Sequence, residues 1–167
     1  MATIGVGDVA PELKATWLDA EDQPHVLAEA LSRGPIVLGM YKSSCQASKT
    51  MFPFLQRLAD TYGKDGLSVF GVAQDSANIT RSFGRRLDLS IPILIEGPEF
   101  PISRAYDIFA TPTVYLVGKD GKVAWSTMGF LKPQINEMSD AVAASLGVDP
   151  APIVGDADAD VPMFVPG

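Results

Sequence analysis

Apolar residues follow two rhythms along this chain. Ile36–Tyr41, IVLGMY, is apolar without interruption, and Leu67–Ala73, LSVFGVA, nearly so. Runs of that length predict strands covered on both faces. Between them, Met51, Leu55, Leu58 and Tyr62 recur at steps of three and four, with Phe52 and Ala59 beside them. That spacing predicts one apolar face of an amphipathic helix. Ile135, Met138, Val142 and Leu146 repeat it in a helix over Lys132–Leu146.

The remaining elements fall around these four. Leu13–Leu18 alternates loosely and reads as a strand, Asp19–Pro24 as a polar turn, and His25-Val26 as the start of a return strand. Val26–Leu31 reads as a short helix stopped by Gly34-Pro35. Asp75 or Ser76 caps a helix over Ala77–Arg86. Pro92–Ile95 reads as a strand, and Ile102–Ile108 as a short helix. Thr111–Val117 and Lys122–Ser126 form a hairpin around Gly118-Lys119-Asp120-Gly121, where Asp-Gly is a strong turn signal. The order strand, helix, strand, helix, then hairpin and helix, predicts an α/β fold. A central mixed β-sheet is flanked by helices, with an N-terminal β-hairpin extension.

The pattern breaks at residue 148. Residues 1–147 read as one domain. Residues 148–167 carry four prolines and four aspartates and no basic residue, a composition that predicts a disordered tail. Its apolar end, Val161–Val165, is the one piece fit to dock on the domain or a partner.

Composition narrows the function. The 167 residues are 47% hydrophobic and 20% charged, in the globular range. A net charge of −7 argues against nucleic acid and an anionic membrane surface as partners. The opening MATIGVGDVAP has neither a basic region nor an apolar run, so no signal peptide is expected and a cytoplasmic location follows. One cysteine and one histidine do not make a zinc site, and no cofactor is expected.

The single cysteine changes the picture most. Cys45 follows the Ile36–Tyr41 strand and the polar turn Lys42–Ser44, and it opens the Met51–Tyr62 helix. Free N–H groups and the helix dipole favour an anion there, which should lower the thiol pKa. Lys42 and Lys49 push the same way if they reach it. A buried, inert cysteine is the plain alternative. His25 is better read as a solvated turn residue than as a catalytic base, and Arg81, Arg85 and Arg86 as a solvated face. The sharper reading of those arginines is an anion patch for a carboxylate-bearing thiol such as glutathione. Asp75 is better read as a cap than as a lining residue of the cysteine site.

The chain resembles the thioredoxin superfamily, in its TlpA-like and redoxin (AhpC/TSA-like) branch. Cys45-Gln46-Ala47-Ser48 sits where that family carries Cys-x-x-Cys. Tyr41, Pro53, Thr111-Pro112-Thr113 and the opening Gly7-Asp8-Val9-Ala10-Pro11 match the aromatic position, helix proline, cis-proline motif and opening motif of the family. The resemblance spans roughly residues 5–147 and implies a thioredoxin-like fold. It implies Cys45 and Ser48 as catalytic residues, and Tyr41, Ser44, Thr111 and Pro112 as substrate-binding ones. Pro112 would present a backbone edge to an extended substrate. Three positions depart from the pattern: Ser48 replaces the second cysteine, Gly39 a buried carboxylate, and Ser44 a tryptophan.

A dithiol cycle needs a second thiol to attack the mixed disulfide, and a hydroxyl cannot do so. The first expectation is therefore a thiol-dependent oxidoreductase that uses Cys45 alone. Its partners are a thiol or disulfide substrate, protein or small molecule, and an external resolving thiol. The second is a one-cysteine peroxiredoxin-like peroxidase. The Pro-x-x-x-Thr/Ser-x-x-Cys motif of that family is broken here by Leu38 and Lys42. The third is a non-enzymatic binding module of thioredoxin-like type.

Overall fold

The computed structural model describes residues 3–167. A five-stranded sheet forms the centre. Its strands are β3 (Ile36–Tyr41), β4 (Ser68–Ala73), β5 (Ile93–Ile95), β6 (Thr113–Val117) and β7 (Val123–Met128), in the order β5-β4-β3-β6-β7. β3, β4 and β5 run parallel, and β6 and β7 are antiparallel to their neighbours. Ahead of the sheet, β1 (Thr16–Leu18) and β2 (Pro24–Val26) pair as an antiparallel hairpin. The mixed sheet, its flanking helices and the hairpin are those expected from the sequence. Among the described residues, no helix is long and apolar enough to cross a membrane.

All six residues of β3 are buried, as an uninterrupted apolar strand must be. Their alternation divides the core in two. Ile36, Leu38 and Met40 face α1 (Leu27–Arg33) and α4 (Pro101–Tyr106), packing with Leu27, Leu31, Ile102 and Tyr106. Val37 and Tyr41 face α2 (Gln46–Tyr62) and α5 (Lys132–Leu146), packing with Phe52, Leu55, Ile135 and Met138.

Gly39 belongs to this second face, where the Leu55 and Phe52 side chains of α2 occupy the space beside it. A Cβ at Gly39 would meet Leu55 Cδ1 at 2.8 Å and Phe52 Cζ at 3.2 Å. Gly71 lies beside Gly39 on β4, and its Cβ would meet Phe52 Cε1 at 3.0 Å. The two glycines form a recess for the Phe52 ring. A carboxylate at position 39 would have to displace the Leu55 and Phe52 side chains. α2 runs unbroken through Pro53, which has no N–H to offer the carbonyl one turn back.

The expectation of a disordered tail is corrected by the fold. Residues 148–167 lie against α2 and α5. Asn136 Oδ1 accepts from the N–H groups of Ile153 and Val154, at 2.8 and 3.0 Å. Tyr62 Oη accepts from Ala151 N at 2.8 Å. Asp158, buried in a 3-10 turn, pairs with Arg57 at 2.9 Å. Lys132 Nζ donates to the carbonyls of Asp158 and Val161. The apolar end then forms β9 (Phe164–Val165), antiparallel to β8 (Phe130–Leu131). The acidic tail has no basic residue of its own, so its partners come from elements distant in sequence.

Candidate active site

β3 delivers the chain to the site, and α2 receives it. Cys45 is the N-cap residue of α2, with extended backbone at φ −82° and ψ 123°, and Lys49 N donates to its carbonyl at 3.1 Å. The turn between strand and helix is held from β4. Asp75, just beyond that strand, accepts a hydrogen bond from Ser43 N at 2.8 Å. Gln74 N donates to the Tyr41 carbonyl at 3.3 Å. Ser76, not Asp75, caps α3 (Ala77–Arg86), accepting from Ile79 N at 3.4 Å. The reading of Asp75 as a cap is therefore corrected, because its carboxylate fixes the turn before the cysteine. The sequence signal was its place at the C-terminal end of a buried parallel strand, where sites of α/β proteins gather.

Cys45 is partly exposed, and its thiol donates to the Thr111 carbonyl at 3.2 Å across a sequence gap of 66 residues. The Thr111–Pro112 peptide is cis, and Pro112 is buried immediately before β6. Ser48 is fully buried one turn into α2, and its hydroxyl has no acceptor in the geometry of the neutral thiol. Burial raises the Cys45 pKa, and hydrogen bonds more than offset it. Donors for the thiolate are the Ser48 N–H, the Ser48 hydroxyl, the Thr111 side chain and the Ala47 N–H, and the net shift is downward. An unused buried hydroxyl beside a sulfur is costly unless the sulfur takes a charge to accept from it.

The structure thus brings Cys45, Ser48, Thr111 and Pro112 together. Ser44 stands exposed beside them. Tyr41 is different. It is wholly buried, with ring centroids 4.4 Å from Phe52 and 4.6 Å from Phe83. Its side chain offers no surface to a substrate, so the substrate-binding role expected for it is corrected to core packing. Burial, reinforced by the Asp75 charge, pushes its phenol pKa up.

His25 lies away from the sulfur and is not the solvated turn residue expected. Its Nε2 is 2.8 Å from Asp19 Oδ2, and its ring packs edge-on against Phe70 at 5.5 Å. Of the α3 arginines, Arg85 and Arg86 are exposed, as a solvated face requires, while Arg81 is engaged. Arg81 donates to the Ala20 carbonyl at 2.8 Å and to Asn78. Arg81 and Arg85 line a cavity of about 390 Å³ against the hairpin, one that includes neither Cys45 nor Thr111. Next to Thr111 lies another space of about 360 Å³, bordered by Lys42, Gln74, Phe109 and Gly167. No group of His, Cys, Asp and Glu among the described residues is arranged to hold a metal ion.

A mixed sheet with a cysteine capping the helix after its central strand, facing the Thr111–Pro112 loop, is a thioredoxin-like fold. The chain belongs to the AhpC/TSA family, whose model matches residues 6–126. It is 27% identical over 122 residues to the thiol-disulfide oxidoreductase ResA of Geobacillus thermodenitrificans, covering 72% of this chain and 67% of that protein. A ResA of Bacillus thuringiensis is also 27% identical, over 126 residues, covering 74% of this chain and 70% of the relative. Among solved structures, a putative thiol:disulfide interchange protein DsbE from Chlorobium tepidum superposes with a TM-score of 0.77. It is 20% identical, over 87% of this chain and all of that one. The peroxidoxin BcpB from Mycobacterium tuberculosis superposes with a TM-score of 0.70 at 18% identity, over 86% of this chain and 97% of that one. At those identities, both structures bear on the fold alone.

Proposed function

We propose that this chain is a thiol-disulfide oxidoreductase that works through Cys45 alone. The observation that carries the reading is the partly exposed Cys45 thiol at the α2 N-terminus, its pKa held down by Ser48 and Thr111. The curated ResA relatives, described as thiol-disulfide oxidoreductases, support the same reaction class.

The reaction is an exchange in two steps. The Cys45 thiolate attacks one sulfur of a disulfide R–S–S–R′. A Cys45–S–S–R bond forms, the old S–S bond breaks, and R′–S⁻ leaves and takes up a proton. Ser48 and Thr111 donate hydrogen bonds to the attacking sulfur. Ser48 cannot displace R, because a hydroxyl does not perform thiol–disulfide exchange. A second thiol, R″–SH, loses its proton and attacks the adduct. It carries R away as R–S–S–R″ and frees Cys45. Net, a disulfide and a thiol exchange partners, and the protein is unchanged.

Mass spectrometry after addition of glutathione disulfide tests this. The expected product is a glutathione adduct on Cys45 that persists until an external thiol is added and is absent in Cys45→Ser. In the Ser48→Cys variant, the adduct should resolve unaided into an intramolecular disulfide. An unmodified wild-type chain, or an adduct shed with no second thiol present, sinks the single-cysteine mechanism.

A further inference from the structure

The C-terminal segment does more than lie on the domain. Beyond the Arg57–Asp158 pair it turns along β8, where Lys132 N donates to the Met163 carbonyl at 2.9 Å and β9 pairs with Phe130 and Leu131. It then passes Gly129, whose N–H donates to the Pro112 carbonyl at 2.8 Å. A Cβ at Gly129 would meet Gly167 N at 3.5 Å and Val165 O at 3.6 Å. Finally it reaches Thr111. A side chain added at Gly167 would overlap the Thr111 carbonyl, the same oxygen that accepts from the Cys45 thiol.

This is the approach an extended peptide would take to the sulfur. A peptide that pairs with a free backbone edge gains main-chain hydrogen bonds and brings its own sulfur alongside. Here the protein's own chain, paired with β8, brings Gly167 against the Thr111 carbonyl on that edge. Several sites hold that chain down: Lys132 Nζ on two of its carbonyls, the strand pair, and Val161 and Val165 against the core cluster that Cys45 touches. Open beside the same Thr111 is the space of about 360 Å³ bordered by Lys42, Gln74, Phe109 and Gly167, which Cys45 itself does not line. That is the size of a small-ligand site, not of a groove for an extended polypeptide.

We propose that residues 161–167 fill the Thr111 edge and restrict Cys45, while docked, to low-molecular-weight thiols and disulfides. The proposal rests on the oxidoreductase reading and names its substrate class. Met163 and Phe164 are exposed on the outer side of the segment and Val161 and Val165 pack inward, so undocking it uncovers the edge together with the part of the core under β9.

The test compares two disulfides with one leaving group: cysteine, and an extended peptide containing one cysteine, each carrying a 2-thiopyridyl disulfide. Attack by Cys45 releases thiopyridone from either, and its absorbance gives the rate. The readout is the ratio of the two rates in three proteins: the full chain, a variant lacking residues 161–167, and Val165→Asp, which keeps full length. Circular dichroism checks the fold of each. In the full chain the peptide should react more slowly by about tenfold or more, equivalent to ~1.4 kcal/mol. Both variants should bring the ratio close to one. An equal ratio in all three proteins overturns the proposal. If Cys45 attacks neither disulfide, the oxidoreductase reading fails instead. The comparison is then made with an iodoacetyl group on the same two carriers. That group needs only a free thiol, and the same ratio decides whether the segment guards the edge.

Discussion

The N-terminal hairpin and the C-terminal segment are both additions to the same five-stranded sheet, and both are pinned by a buried aspartate. Asp19 accepts from Glu21 N at 2.8 Å, from Gln23 N at 3.0 Å and pairs with His25 at 2.8 Å. Asp158 accepts from Gly155 N at 3.0 Å and from Arg57 at 2.9 Å. The difference is where the partners come from. Those of Asp19 lie within six residues, so the hairpin closes on itself and touches the sheet at its β5 edge, through Asp19 and Leu94. The main partner of Asp158 lies 101 residues away on α2, so the same chemistry ties a chain segment across the domain. A local hub builds a turn. A long-range hub places a segment at the site.

The largest expected effect separates the two at the level of stability. Asp19→Ala removes the acceptor for two backbone N–H groups and leaves His25 without its partner. A loss of about 1–3 kcal/mol in denaturant unfolding is expected. The pH profile of Cys45 alkylation should not move. A shift in that profile would mean that the hairpin reaches the sulfur after all.

Asp158→Ala should do the reverse. Arg57 is half exposed, so solvent screening limits the loss to about 1 kcal/mol. The peptide-to-cysteine rate ratio should nevertheless rise, because the segment is loosened. Acid sharpens the point. Hydrogen bonds from Arg57 and Gly155 N hold the Asp158 carboxyl below its ordinary value. Burial would raise the Asp19 carboxyl, but hydrogen bonds from His25, Gln23 and Glu21 win and lower it. Both contributions to stability are therefore complete above the unfolded value of about 3.9, and are lost as pH falls through the lower folded values. Either alanine variant should show a shallower loss of stability below about pH 4 than the parent. Equal slopes would remove the aspartates from the account.

The smallest expected effect leaves both extensions in place and alters the sulfur. Ser48→Ala deletes one donor to the thiolate. The midpoint of Cys45 alkylation against pH should rise toward the free-thiol value of roughly 8.5, with the rate ratio unchanged. An unmoved midpoint would mean that the Ser48 hydroxyl contributes nothing to the thiolate.

Much of the scaffold was legible because its signals are local. β3, α3 and α5 begin and end where apolar rhythm and caps put them, and the Asp120-Gly121 turn joins β6 to β7. Cys45 at the mouth of α2 followed from a strand running into a helix. Tyr41 was misread because motif position says nothing about which way a residue of a fully buried strand points. His25 was misread because its partner, Asp19, lies across a turn rather than along a strand. Asp75 was misread because Ser76, its neighbour, is an equally good cap.

The sequence by itself determined the alternation of buried strands and amphipathic helices, the single thiol, and the lack of a second one to resolve it. These follow from residue type and short-range periodicity, which depend on a few neighbours. Only the tertiary structure decided what surrounds the sulfur. Thr111, 66 residues beyond Cys45, takes its hydrogen bond, and Gly167 lies against the same carbonyl. A tail rich in proline and aspartate looks disordered by composition, because composition counts only the charges it carries. Arg57, Tyr62, Lys132 and Asn136 supply the donors and acceptors it lacks, and they reach it only once α2 and α5 have packed on the sheet.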